Sequence, residues 1–110
     1  MSGRLPQTGQ VGTSDPGQQT VDALNKIKNN LEEAGTSLES IFKWNLYVKD
    51  TNRDHDKIAG ALKDYLRENA PGLIENPPAT TWVGVRELAF PSMLIEIGDI
   101  VATVLRQKGS

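Results

Sequence analysis

Apolar positions recur along this chain in two different periods, and each change of period marks an element boundary. Asp15-Pro16 supplies an N-cap carboxylate followed by a proline suited to the first helical position. Val21, Leu24, Ile27, Leu31 and Ala34 then fall at helical spacing, with Lys26, Lys28, Asn29 and Glu32 on the other side. Gly35 stands where a helix end favours a residue that tolerates positive φ. Residues 37–40 read as a short polar connector. Over 41–49 the period drops to two. Phe42, Trp44, Leu46 and Val48 are expected to face inward, and Lys43, Asn45, Tyr47 and Lys49 outward, as in a half-buried strand.

Residues 50–56 form a polar turn that starts a second helix. Ile58, Ala61, Leu62, Tyr65, Leu66 and Ala70 give it an apolar stripe, and Pro71-Gly72 stops it. Residues 73–77 lead into two final strands, at about 79–85 and 93–104. The last is nearly continuous in Ile, Leu and Val, so it is expected to be central and covered on both faces. Residues 9–17 read as a loop, and residues 2–5 as a short strand remnant. The order helix, strand, helix, strand, strand predicts an α+β fold, a mixed sheet with two helices packed on one face.

Composition narrows the functional classes. The 110 residues support a single domain over 1–110. A net charge of −2 and the lack of a Lys/Arg block give no footprint of a nucleic-acid binder. With no cysteine there is no disulfide, thiol nucleophile or Cys-type zinc site. No apolar run approaches membrane-spanning length, and residues 1–10 carry no hydrophobic signal core. A cytoplasmic location is expected, without membrane or nucleic-acid partners. His55, the only histidine, lies in Asp54-His55-Asp56; one histidine between acids is a weak metal motif and reads as a solvated helix start, so no metal and no cofactor is expected.

The candidate chemistry centres on Glu96. It interrupts the apolar run of the last strand, and a carboxylate buried there is costly unless it has a partner or a task. The residues around it, Pro78-Ala79 before a β-branched strand and then Leu88-Ala89, Pro91, Met93-Leu94-Ile95-Glu96-Ile97, follow a recognisable order. So do Ser2-Gly3-Arg4-Leu5-Pro6, Thr8-Gly9, Gln18-Gln19-Thr20 and Val48-Lys49-Asp50. Taken together, the chain resembles the RidA/YjgF reactive intermediate deaminase family, also called the endoribonuclease L-PSP family.

That resemblance implies a chorismate-mutase-like fold, a homotrimer and small-molecule clefts between subunits. It implies that Glu96 is the catalytic acid, holding or activating the water that attacks a C=N carbon. It also implies that Ser2, Gly3, Arg4, Thr80 and Trp82 border the substrate. In deaminating members an arginine follows Pro-Ala and grips the carboxylate of a 2-imino acid through its planar fork. Here that position is Thr80, a neutral hydroxyl. Arg86 lies about 20 Å further along an extended strand and does not replace it, whereas Arg4 is a candidate substitute. The family asparagine position falls near Ala59, and Trp82 stands where a cysteine is common. The resemblance places an N-terminal strand pair carrying the family tyrosine before Ser2, where the given sequence has Met1.

Three readings follow. The first is a trimeric protein that binds a small molecule at an intersubunit cleft and hydrolyses a reactive imine or enamine with release of ammonia. The second is a non-catalytic ligand-binding or partner-binding trimer. The third is an endoribonuclease that inhibits translation, which the acidic balance and lone histidine disfavour. Structural alternatives stand beside the functional ones: Glu96 as a strand acid paired at a subunit boundary, and Trp82 as a packing residue.

Overall fold

The computed structural model describes residues 15–103. In chain order they form α1 (Pro16–Glu33), a 3-10 turn (Leu38–Ser40), β1 (Ile41–Val48), α2 (Thr51–Asn69), the short α3 (Gly72–Glu75), β2 (Ala79–Gly84) and β3 (Ile95–Ala102). The strand order is β2-β1-β3, with β1 parallel to β2 and antiparallel to β3. The fold is therefore the expected α+β mixed sheet. The strand remnant expected at residues 2–5 lies outside the described residues.

Local chemistry explains the helix ends. Asp15 accepts a hydrogen bond from the Gln18 amide at 2.9 Å, and Pro16 occupies the first turn. At the other end the amide of Thr36 reaches the Leu31 carbonyl at 2.9 Å, and that of Gly35 reaches Glu32 at 3.1 Å. These are the two bonds of a Schellman motif, which needs the left-handed φ of 88° that Gly35 adopts. Asp50 caps α2 by accepting from the Arg53 amide at 3.1 Å.

The core is built on β1. Trp44, Leu46 and Val48 are fully buried against Leu24 of α1, Ile58, Tyr65 and Leu66 of α2, and Ile95 and Ile97 of β3. Alternation sends Lys43, Asn45 and Tyr47 to the opposite face, which no helix among the described residues covers. The Tyr65 hydroxyl donates to Asn25 Oδ1 at 2.7 Å, joining α2 to α1.

Several expectations are corrected. The alternation predicts Phe42 facing inward, yet it is 54% exposed and Ile41 is buried in its place. The register against β3 shifts between Ile41 and Lys43 and again between Lys43 and Asn45, and such an irregularity breaks the two-residue period. The last strand is not central among the described strands. It begins at Ile95, lies at one side of β1, and exposes Glu96, Asp99 and Val101 while burying Ile95 and Ile97. The second helix begins at Thr51, directly after its Asp50 cap, rather than after a longer turn. The connector after Pro71 contains α3, which buries Leu73.

Two glycines with open space around them should respond oppositely to substitution. Gly35 holds a positive φ and Gly60 sits inside α2; a Cβ added at either would have nothing within 4 Å. Gly35→Ala is expected to lower unfolding free energy by about 1–2 kcal/mol from backbone strain. Gly60→Ala is expected to raise it by roughly 0.5–1 kcal/mol from helix propensity. Urea denaturation of both variants checks the pair.

Candidate functional site

On the open face of the sheet, Tyr47 of β1 lies directly across from Glu96 of β3, and Asn45 lies across from Gly98. The ring of Tyr47 rests over Gly98, where a Cβ would stand 3.3 Å from the ring edge. Next to it Asp99 takes a left-handed backbone conformation with φ 51°, unusual for a residue with a side chain. Its carboxylate accepts from the Tyr47 hydroxyl and from Asn45 Nδ2, the latter at 3.0 Å. Asn45 Nδ2 also reaches the Tyr47 hydroxyl at 3.2 Å. The hydrogen bond from Tyr47 holds the Asp99 carboxyl below the usual carboxylate range, helped by Asn45 and the Lys43 charge and opposed by partial desolvation.

Glu96, Tyr47 and Asp99 form one wall of a cleft of about 460 Å³. Val85 and the loop residues Glu87, Leu88 and Ala89 form the other. Three carboxylates, one phenol and an apolar rim thus meet in a single opening, and among the described residues that line it none is a cation. That set suits a neutral or positively charged ligand better than an anion.

The expected site residues separate into two groups. Glu96 is exposed on the open face, not buried as its apolar surroundings suggest. Thr80 and Trp82 lie on β2 with their side chains toward the helices. The Thr80 hydroxyl accepts from the Trp44 indole Nε1 at 2.8 Å and donates to the Pro78 carbonyl at 2.9 Å. Trp82 is half-buried against the core, with the His55 ring 4.4 Å from its own at a 40° tilt. β1 runs between these residues and Glu96, so the two groups do not meet within one chain. Ser2, Gly3 and Arg4 lie outside the described residues.

His55, read from sequence as a solvated helix start, rests on Trp82 and has its Nδ1 3.3 Å from Asp56 Oδ1. Among the described residues no group of His, Asp and Glu side chains has the arrangement of a metal site. Tyr47, Asn45 and Asp99 join the site without having been expected there. The sequence marks the first two only as the outward half of an alternating strand.

The comparisons with known proteins agree with the fold. The profile of the endoribonuclease L-PSP family matches residues 1–104. The chain belongs to that family, the RidA/YjgF group. It is similar to a RutC family protein of Pyrococcus abyssi, 36% identical over 69 residues that cover 63% of this chain and 54% of the relative. The chain thus spans about half the length of the curated relatives it matches. Among solved structures it is similar to the YjgF gene product of E. coli, with TM-score 0.71 and 29% identity over 86% of this chain and 69% of that one. It is also similar to E. coli TdcF with bound serine, with TM-score 0.73 and 26% identity over 88% of this chain and 71% of that one.

The two faces of the sheet can be probed separately. Thr80→Val removes the hydroxyl that accepts from the buried Trp44 indole, and is expected to lower stability by about 1–3 kcal/mol in urea denaturation. Asp99 has a lowered folded pKa, so its contribution is fully present above the ordinary aspartate value near 3.9 and is lost as pH falls through the folded value. Asp99→Asn should therefore flatten the acid limb of the stability–pH profile, as measured by thermal unfolding between pH 2 and pH 6 at constant ionic strength, a range set to about two units either side of that value.

Proposed function

We propose that this chain acts as a cytoplasmic homotrimer that binds a small neutral or cationic imine or enamine and hydrolyses it. The observation that carries this reading is the placement of Glu96 opposite Tyr47 in a cleft that no cation among the described residues lines. In the reaction, Glu96 takes a proton from water as the water oxygen attacks the C=N carbon. The nitrogen receives that proton from Glu96, giving a carbinolamine; the hydroxyl proton then passes through Glu96 to the nitrogen as the C–N bond breaks, leaving ammonia and a carbonyl product. Tyr47 holds its hydroxyl beside the same opening. Family membership and the neighbour solved with bound serine support a small polar ligand. A guanidinium grip on a carboxylate has no residue at position 80 to provide it. Arg4 supplies one only if residues 2–4 reach the cleft.

Self-association is supported by the sheet face that no described helix covers. It carries Val101, 40% exposed, paired with Lys43 next to the 54% exposed Phe42. A ligand touching both Glu96 and the Thr80–Trp82 side of the sheet would need two copies of the chain. A non-catalytic binding trimer is the second reading, favoured by the fully engaged Thr80 hydroxyl. The family's ribonuclease label is the weakest fit. Three carboxylates in the cleft and a net charge of −2 oppose a phosphate backbone.

Purified protein should release ammonia from neutral or cationic imines faster than from carboxylate-bearing ones. Glu96→Ala should slow turnover by about 10²–10⁴-fold. Unchanged turnover in Glu96→Ala would refute its role, and ligand-induced thermal shifts without any ammonia would favour the binding module. Sedimentation should give three times the 12.0 kDa chain mass. Retention of single-stranded RNA at low salt would revive the ribonuclease reading.

A further inference from the structure

The loop that walls the cleft is tied down at its base from two directions. Its first end leaves β2 where the Val85 amide donates to the Val48 carbonyl at 3.0 Å. Its second end returns where the Lys49 amide donates to the Leu94 carbonyl, also at 3.0 Å. Both ends therefore meet the same end of β1, the closed geometry of an Ω-type loop. Between them, residues 86–93 carry Glu87, Leu88 and Ala89 to face Glu96, and exposed Phe90 at the tip.

Gln19 of α1 is the unexpected part of this arrangement. It is 5% exposed, and its carboxamide makes paired bonds to the returning end of the loop. Nε2 donates to the Ser92 carbonyl at 3.0 Å, and Oε1 accepts from the Leu94 amide at 2.8 Å. One side chain thus serves a donor and an acceptor two residues apart, as a neighbouring strand would. Lys49 Nζ adds a bond to the Pro91 carbonyl at 3.0 Å. A glutamine is rarely buried without such partners, and these bonds bridge more than seventy residues of sequence.

We infer that Gln19 is a positioning residue for the cleft, and that its carboxamide sets where the 86–93 loop stands relative to Glu96. Gln19 itself does not line the opening. It acts through Ser92 and Leu94, so α1 fixes the distance between the loop wall and the sheet wall. The consequence for turnover rests on the imine-cleft reading given above, whereas the consequence for the loop does not.

Amide hydrogen exchange on the full chain, without ligand, tests the loop. Gln19→Met keeps the volume and removes both bonds, and is expected to speed exchange at Leu94 and over 86–92 by about tenfold, leaving β1 and α2 at wild-type rates. Gln19→Glu keeps an acceptor for the Leu94 amide and should give a smaller rise there. With an imine that the wild type hydrolyses, Gln19→Met should raise KM by about tenfold while kcat stays within about twofold. Wild-type exchange in the loop, an equal rise across α1, β1 and α2, or a loosened loop with unchanged KM each overturns the inference. If no imine is hydrolysed by the wild type, the imine reading has failed and the exchange result alone decides whether Gln19 holds the loop. If Gln19→Met does not fold, Lys49→Met frees only the Pro91 tie at the surface; faster exchange over 88–92 supports the bracing of the loop and wild-type rates overturn it.

Discussion

The burial of alternate side chains from β1 under α1 and α2 is the constraint on which the rest depends. Trp44, Leu46 and Val48 enter the core, and strand geometry then forces Lys43, Asn45 and Tyr47 to the side that no described helix covers. Because β1 is hydrogen-bonded on both sides, its register sorts the neighbours as well. Glu96 is placed across from Tyr47, and Thr80 beside Trp44. A one-residue slip would exchange the two faces and abolish both pairings. The cleft is thus a by-product of core formation, set by apolar side chains that it does not contain.

Polar satisfaction then refines what the hydrophobic pattern positions. A buried indole N–H needs an acceptor, and Thr80 supplies one while passing its own proton to Pro78. The strand-entry backbone at Ser92 and Leu94 needs partners away from β1, and Gln19 supplies both. On the open face Asp99 accepts two side-chain donors while holding a conformation that costs free energy for a residue with a Cβ. Apart from the local Thr80–Pro78 bond, each of these polar contacts joins segments far apart in sequence. They lock the relative placement of elements that apolar packing alone would leave free to slide.

Much of the fold is legible in the sequence because its signals are local. The Asp15-Pro16 cap, the Gly35 terminus, the two helical stripes and the alternation at Trp44, Leu46 and Val48 each depend on a few neighbouring residues. What escapes depends on tertiary context. Phe42 has the right parity to be buried, but a register irregularity with β3 turns it outward. The apolar wording of 93–104 suggests a central strand, yet whether Glu96 is covered depends on what packs on the open face, which its own sequence does not encode. Gln19 reads as a polar helix residue, because the backbone it serves lies more than seventy positions away. Asp99 gives no signal, since a positive φ at an aspartate is imposed by the strand it joins.

The same face logic governs what position 80 contributes. Thr80 is the expected counterpart of the arginine of deaminating members, and a substitution read only as a lost charge would predict a weakened site and nothing more. The structure shows that the hydroxyl has an occupation of its own, between a fully buried tryptophan and a turn carbonyl. A guanidinium has five donors and no acceptor, so it cannot receive the Trp44 indole proton in the threonine's place. Restoring the arginine would therefore leave that donor unpaired in the core while adding a cation on the helix-facing strand. Two features travel together here: an indole-binding threonine at 80 and, on the other side of β1, a cleft that the described residues line with carboxylates and no cation. Neither feature, among the described residues, places a cation beside Glu96.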